Sequence, residues 1–189
     1  MKYSNIISDF IWSYSRVQSF FSCRYQFFLK YIKGLRERPM FFSNYGGFVH
    51  QIMEQYLQGE LDEQDLSLYY LTHFREAVGG QAPNKNIFQK YFEDGLRYLS
   101  NPQFPYPTPL AVESRFSFSA DGLPFVGIVD CLAEDSGQLI LLDHKSRSLK
   151  PRSGRAKPTK ADLELDEYLR QLYLYAIPVR ERYGRFPDR

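Results

Sequence analysis

The chain is poor in the features that announce a protein's class at a glance. Its 189 residues include two cysteines, Cys23 and Cys131, too few and too far apart for a disulfide framework. No run is long and apolar enough to read as a membrane span, and no secretory pattern opens the chain, so a cytoplasmic protein without a membrane partner is expected. The formal net charge is only +2, so no global basic balance signals a polyanionic partner, and any nucleic-acid binding must come from local clustering. Aromatic residues, by contrast, are abundant at 17%. Most belong in a core, with some free to stack on bases. The length suits one domain, residues 1–189.

The most informative stretch runs from Gly127 to Lys145. It reads as two apolar strands, Gly127-Ile-Val-Asp130 and Leu139-Ile-Leu-Leu-Asp143, joined by a tight turn at Glu134-Asp-Ser-Gly137. Each strand ends on a carboxylate, and Lys145 follows two residues later. Alternation along a strand puts Asp143 and Lys145 on one face and the His144 side chain on the other. Charged groups ending a Val/Ile/Leu-rich strand are costly unless compensated. A divalent cation facing Asp130 and Asp143, with the Lys145 ammonium alongside, supplies that compensation, which makes this a metal site.

Gly-x-x-Asp followed by Asp-x-Lys on a hydrophobic strand resembles the PD-(D/E)XK nuclease superfamily, and within it the RecB-like exonucleases, the CRISPR-associated RecB-like enzymes included. Three further features of that subfamily occur here in the right order: Gly47-Phe-Val-His50, Gln171-Leu-Tyr-Leu-Tyr175 and Cys23-Arg24-Tyr25. The resemblance implies an α/β (α+β) fold with a restriction-endonuclease-like core, a small mixed sheet flanked by helices. Residues 1–100 form a helical N-terminal half carrying His50, and 110–189 hold the sheet and the Gln-x-x-x-Tyr helix. It implies His50 as a metal ligand with Asp130, Asp143 and the backbone carbonyl of His144. Lys145 is the catalytic ammonium, and Gln171 and Tyr175 position the substrate. In some RecB-like enzymes a cysteine placed like Cys23 is the first of four ligands to an iron–sulfur cluster. Two cysteines cannot supply four thiolates, so no cluster is expected from this chain alone. Cys23 is a candidate only if a longer parent chain supplies the rest, and otherwise is expected to be a buried, small apolar residue.

Taken in order, the pattern predicts a helix over 15–33 closed by Gly34, and a second from Ser43 to about Leu57 with Ser43 as its cap. His50, Met53, Glu54 and Leu57 share a face of that second helix, where Glu54 either orients the imidazole or is simply solvated. Helices over 61–78 and 84–100 carry no chemistry, and His73 is expected at the surface or in packing. Four prolines between Asn101 and Pro109 make a stiff linker, in which Tyr106 is within reach of a ligand. The alternation of Val112, Phe116 and Phe118 predicts a half-buried strand whose polar face carries Glu113. That carboxylate either assists the metal site or is solvated. After Lys145, the basic residues Arg147, Lys150, Arg152, Arg155, Lys157 and Lys160 occur with no acid between them, broken by Pro151, Gly154 and Pro158. Such a segment is expected to be mobile and to grip phosphates. The last helix, 162–183, should kink or break at Pro178. The family core wants one more strand after it, which the chain leaves unfilled.

These readings converge on a metal-dependent deoxyribonuclease. Mg²⁺ suits the two carboxylates, and His50 tilts the preference towards Mn²⁺. The substrate implied by the resemblance is DNA, as single strands or duplex ends in repair, recombination or phage DNA processing. Two alternatives stay open. One is a CRISPR-adaptation nuclease partnered by an integrase, and the other is a non-catalytic nucleic-acid-binding subunit that keeps the fold. Degenerate copies lose the lysine or a carboxylate, and this chain keeps all of them.

Overall fold

Two turns with left-handed backbone shape the sheet. The structure, a computed structural model, describes residues 7–36, 40–79, 82–101, 108–146 and 149–189. At Asp121-Gly122 φ is +52° and +75°, and at Ser136-Gly137 it is +50° and +80°. Positive φ at both central residues is the signature of a type I′ turn, whose twist matches that of the flanking strands. Strands β1 (Thr108–Ala120), β2 (Leu123–Asp135) and β3 (Gln138–Leu142) therefore follow as an antiparallel meander in the order β1-β2-β3. Ala120 pairs with Leu123 and Asp135 with Gln138, so each turn spans two residues. The parallel component of the sheet is an isolated bridge between Trp12 and Phe125. Two 2.8 Å backbone bonds close it, from Trp12 N–H to the Pro124 carbonyl and from Val126 N–H to the Trp12 carbonyl.

Helices α1 (Tyr14–Ser22) and α2 (Arg24–Phe27) and a π-helical turn (Phe28–Ile32) occupy the stretch expected to be one helix. Cys23 divides it. Its backbone is extended (φ −155°, ψ 102°), and its Sγ accepts the Gln26 N–H at 3.4 Å to cap α2. The thiol is exposed, which corrects the expectation of a buried apolar residue, whereas Cys131 is buried. Helix α3 (Phe41–Leu57) starts two residues before the expected cap. Ser43 serves from inside the first turn, its Oγ accepting the Met40 N–H and donating to the Met40 carbonyl. Helix α4 (Leu66–Ala77) follows a 3₁₀ turn at Glu63–Asp65, and α5 (Lys85–Ser100) starts at an Asn84 cap. Helix α6 (Lys160–Tyr183) runs unbroken through buried Pro178, against the expected interruption.

Two cores result. Tyr45, Phe48, Ile52, Met53, Tyr70 and Phe74 pack α3, α4 and α5 together. Phe116, Phe125, Val129, Leu132 and Leu141 of the sheet pack against Tyr175 and Val179 of α6. Each such side chain, when fully buried, contributes roughly 1.5–3 kcal/mol. Helices α3 and α6 both pack on β1, so the sheet's polar end lies between the two cores. Where the final core strand was expected to be unfilled, the end of the chain bonds to β3. Asp188 N–H donates to the Leu139 carbonyl at 2.7 Å, and Leu141 N–H to the Arg189 carbonyl at 2.8 Å. No described helix is long and apolar enough to cross a membrane.

Candidate active site

Strand register lines up three carboxylates. Val112 pairs with Cys131 and Ser114 with Val129, so Glu113 falls opposite Asp130. Cys131 pairs with Leu142, so Asp143, one residue beyond β3, falls opposite Asp130 from the other side. Residues directly opposite in an antiparallel pair present their side chains to the same face. The row Glu113–Asp130–Asp143 thus crosses all three strands. Glu113 holds φ at +45°. A non-glycine residue in that region costs on the order of 1–3 kcal/mol, and such strain concentrates where a site over-determines the backbone.

Helix α3 brings His50 to this row. Its Nε2 lies 2.7 Å from the His144 carbonyl oxygen. A carbonyl only accepts, so Nε2 carries the proton and Nδ1 keeps its lone pair in the neutral ring. Nδ1 lies 3.8 Å from Asp130 Oδ2, which also accepts the His144 N–H at 2.6 Å. One donor atom each from His50, Glu113 and Asp130 falls within 4.8 Å of the others. Two carboxylates and an imidazole suit Mg²⁺ or Mn²⁺. The electrostatics point the same way. Burial, then the Asp143 charge, raises the Asp130 pKa above the usual carboxylate range, against the opposing His144 N–H, His50 and Lys145. Burial, then the charges of Asp130 and Glu54, raises that of Glu113. A divalent cation relieves this crowding of negative charge.

Asp143 forms an ion pair with Lys145, beside the three-donor group of His50, Glu113 and Asp130. Lys145 Nζ also donates to Gln171 Oε1 at 3.5 Å and stands 4.8 Å above the Tyr168 ring. Hydrogen bonding of the Tyr175 phenol with the Gln171 side chain and the Ile128 backbone opposes the upward push of burial on it. The role of Gly127 follows from this packing. A Cβ there would lie 2.6 Å from Tyr175 Cε1, so only glycine lets the ring lie against β2. Gly47 has open space where a side chain would go, whereas a Cβ on Gly46 would come 3.3 Å from Ser146 Oγ. The His144 ring is pushed down to about 4 by burial and by His50, so it is neutral near pH 7. The His144 carbonyl takes the His50 hydrogen bond on one of its two lone pairs.

Part of the basic segment, from Arg152 to Thr159, bonds to the start of α6. Asp162, 3% exposed, accepts bonds from the Ser153 N–H and hydroxyl and from the Thr159 N–H and hydroxyl. Arg152 pairs with Asp166 of α6, while Lys150 is exposed. Arg147 and Tyr106 lie outside the described residues. Glu113 and Tyr168 are the site residues that sequence reasoning undervalued. Glu113 alternates like any solvated strand residue, and only cross-strand register reveals its partner. The spacing of Tyr168 from Gln171, one helical turn, was the available signal for the second.

A family model described as the PD-(D/E)XK nuclease superfamily matches residues 11–188. No curated protein and no solved structure matches the chain.

Proposed function

Because the chain belongs to the PD-(D/E)XK nuclease superfamily, we propose that it is a divalent-metal-dependent deoxyribonuclease, a RecB-like exonuclease acting on single strands or duplex ends. The observation that carries the reading is the convergence of His50, Glu113 and Asp130 beside the Asp143–Lys145 pair. His50, Glu113 and Asp130 would hold the cation, with Asp143 next in the row to complete the set. The cation would supply an acidified water and a sink for charge developing on the phosphate. Asp143 and Gln171 aim the Lys145 ammonium, which then stabilises the charge gathering on the non-bridging phosphate oxygens. Tyr168 beneath it restricts its swing. Tyr175 fixes Gln171 against β2, and the exposed Lys150 is available to a neighbouring phosphate.

The test is cleavage of end-labelled single- and double-stranded DNA with Mg²⁺, Mn²⁺ or EDTA. Cleavage should require metal and vanish in Asp130→Ala. Lys145→Ala should slow it on the order of 10²–10³-fold while the thermal shift induced by Mn²⁺ persists. Parent-like cleavage by Lys145→Ala would sink this mechanism. Digestion inward from labelled ends is expected, and internal products from circular DNA would refute the exonuclease assignment.

A further inference from the structure

The first described helices carry a surface that the cleavage chemistry does not use. Between Phe10 and Arg36 the chain has nine aromatic residues and five cations, and no Asp or Glu. Phe27, 4% exposed, anchors the cluster. Trp12 stacks on it at 6.4 Å, and Phe20 and Tyr31 close in at 5.3 and 5.2 Å. Two rings are left outside: Phe21 is 80% exposed and Tyr25 70%. Phe20 holds Phe21 edge-on at 5.7 Å. Cations lie over the neighbouring rings, with Arg24 5.4 Å from the Phe20 centroid and Lys33 5.6 Å from that of Phe28. Arg24, Lys33 and Arg36 are exposed. Exposed aromatic faces set among positive charges, with no acid in the stretch, match a strand of stacked bases and phosphates. An apolar protein face would bury these cations without neutralising them.

The surface is also joined to the site. Tyr14 of α1 donates its hydroxyl to the Glu167 carbonyl of α6, and Gln18 donates to the Glu167 carboxylate at 2.9 Å. Tyr168, the next residue, is the ring beneath the Lys145 ammonium. We propose that Phe21 and Tyr25, flanked by Arg24, Lys33 and Arg36, form a stacking platform for a single-stranded stretch of the nucleic acid being cut. The platform rests on the nuclease reading and deepens it. It selects unpaired bases next to the scissile phosphate and tolerates any sequence, because every base offers a ring face.

Phe21→Ala/Tyr25→Ala removes the two exposed rings without touching the buried anchor. Leu68→Ala/Leu71→Ala, which trims exposed apolar side chains of α4, is the control. Fluorescence anisotropy in EDTA, where no cleavage occurs, is read with a labelled 20-nucleotide oligo-dT and with an abasic oligonucleotide of equal length. The aromatic double variant should bind oligo-dT about tenfold or more weakly. Its affinity for the abasic strand should stay within twofold of the parent's, and the control should match the parent on both. Equal affinity of parent and double variant for oligo-dT overturns the platform. So does an equal loss on both strands, which would mean that the rings support structure and do not stack on bases. If the double variant instead dissociates a parent dimer and leaves oligo-dT affinity unchanged, the patch belongs to a second copy of the chain and the proposal falls. Metal-dependent cleavage by the parent keeps the nuclease reading standing in each of these cases. A parent that neither binds nor cuts DNA brings down both.

Discussion

At the scale of single residues, Glu113 shows how a site stores unfavourable energy. Its backbone is left-handed, and its carboxylate is pushed towards protonation by burial and by the charges of Asp130 and Glu54. A group whose folded-state pKa is raised opposes folding as pH rises through that pKa. Glu113→Gln keeps the shape and removes the charge. In EDTA at pH 7.5 its melting temperature should equal or exceed that of the parent, while the stabilisation gained on adding Mn²⁺ should shrink. Scanning calorimetry reads both. A variant that melts lower in EDTA yet keeps the full Mn²⁺ response would show that this carboxylate is structural and no ligand.

Among the elements, the contact of α6 with β2 depends on an absent side chain. Gly127→Ala would drive a methyl into the Tyr175 ring, loosening its bonds to Gln171 and Ile128. Overpacking of this kind costs about 1–3 kcal/mol. The urea midpoint should fall accordingly, and cleavage should slow as Gln171 loses its hold on Lys145. An unchanged midpoint would show that α6 shifts freely over the sheet. The N-terminus of α6 makes a second claim. Hydrogen bonds from Ser153 and Thr159 hold the Asp162 carboxyl well below its usual range. A depressed folded-state pKa contributes stability that is present above the unfolded value, near 4, and is lost as pH falls towards the folded one. Asp162→Asn should therefore flatten the parent's loss of stability on acidification below pH 4. At pH 7 it should also expose the bonds after Arg152 and Arg155 to faster trypsin cleavage, which mass spectrometry can follow.

For the molecule as a whole, the site lies between two separate cores, with His50 on the helical side and Glu113 and Asp130 on the sheet side. A cation bound to all three ties the two parts together, and at 100 times its Kd it adds about 2.7 kcal/mol of stability. Hydrogen exchange should therefore slow in both α3 and β2 when Mn²⁺ is added, and Asp130→Ala should abolish the effect in both. Slowing confined to β2 would leave His50 outside the metal site.

Period and turn chemistry are local properties, so the sequence by itself determined the hairpin of β2 and β3 and the amphipathic helices, while the ordered motifs of the family it resembles are what joined His50, Asp130, Lys145, Gln171 and Tyr175 in one expected neighbourhood. Local signals also misled where packing overrode them. The run over 15–33 reads as one helix because nothing in its periodicity shows Cys23 extended and capping, and Pro178 reads as a break although the surrounding helix tolerates its missing N–H. Only the tertiary structure decided the partners. Which carboxylate stands opposite Asp130 depends on cross-strand register, a non-local quantity, and that register brings Glu113 beside His50 and Asp130 as a candidate third donor. The His144 carbonyl went to His50, and Asp143 to Lys145, because those groups meet only once α3 and the sheet have packed. The hold on the basic segment is divided between sequence and tertiary structure: the Thr159–Asp162 capping box is a local signal at the start of α6, whereas the bonds from Ser153 to Asp162 reach nine residues along the chain and follow only from the fold.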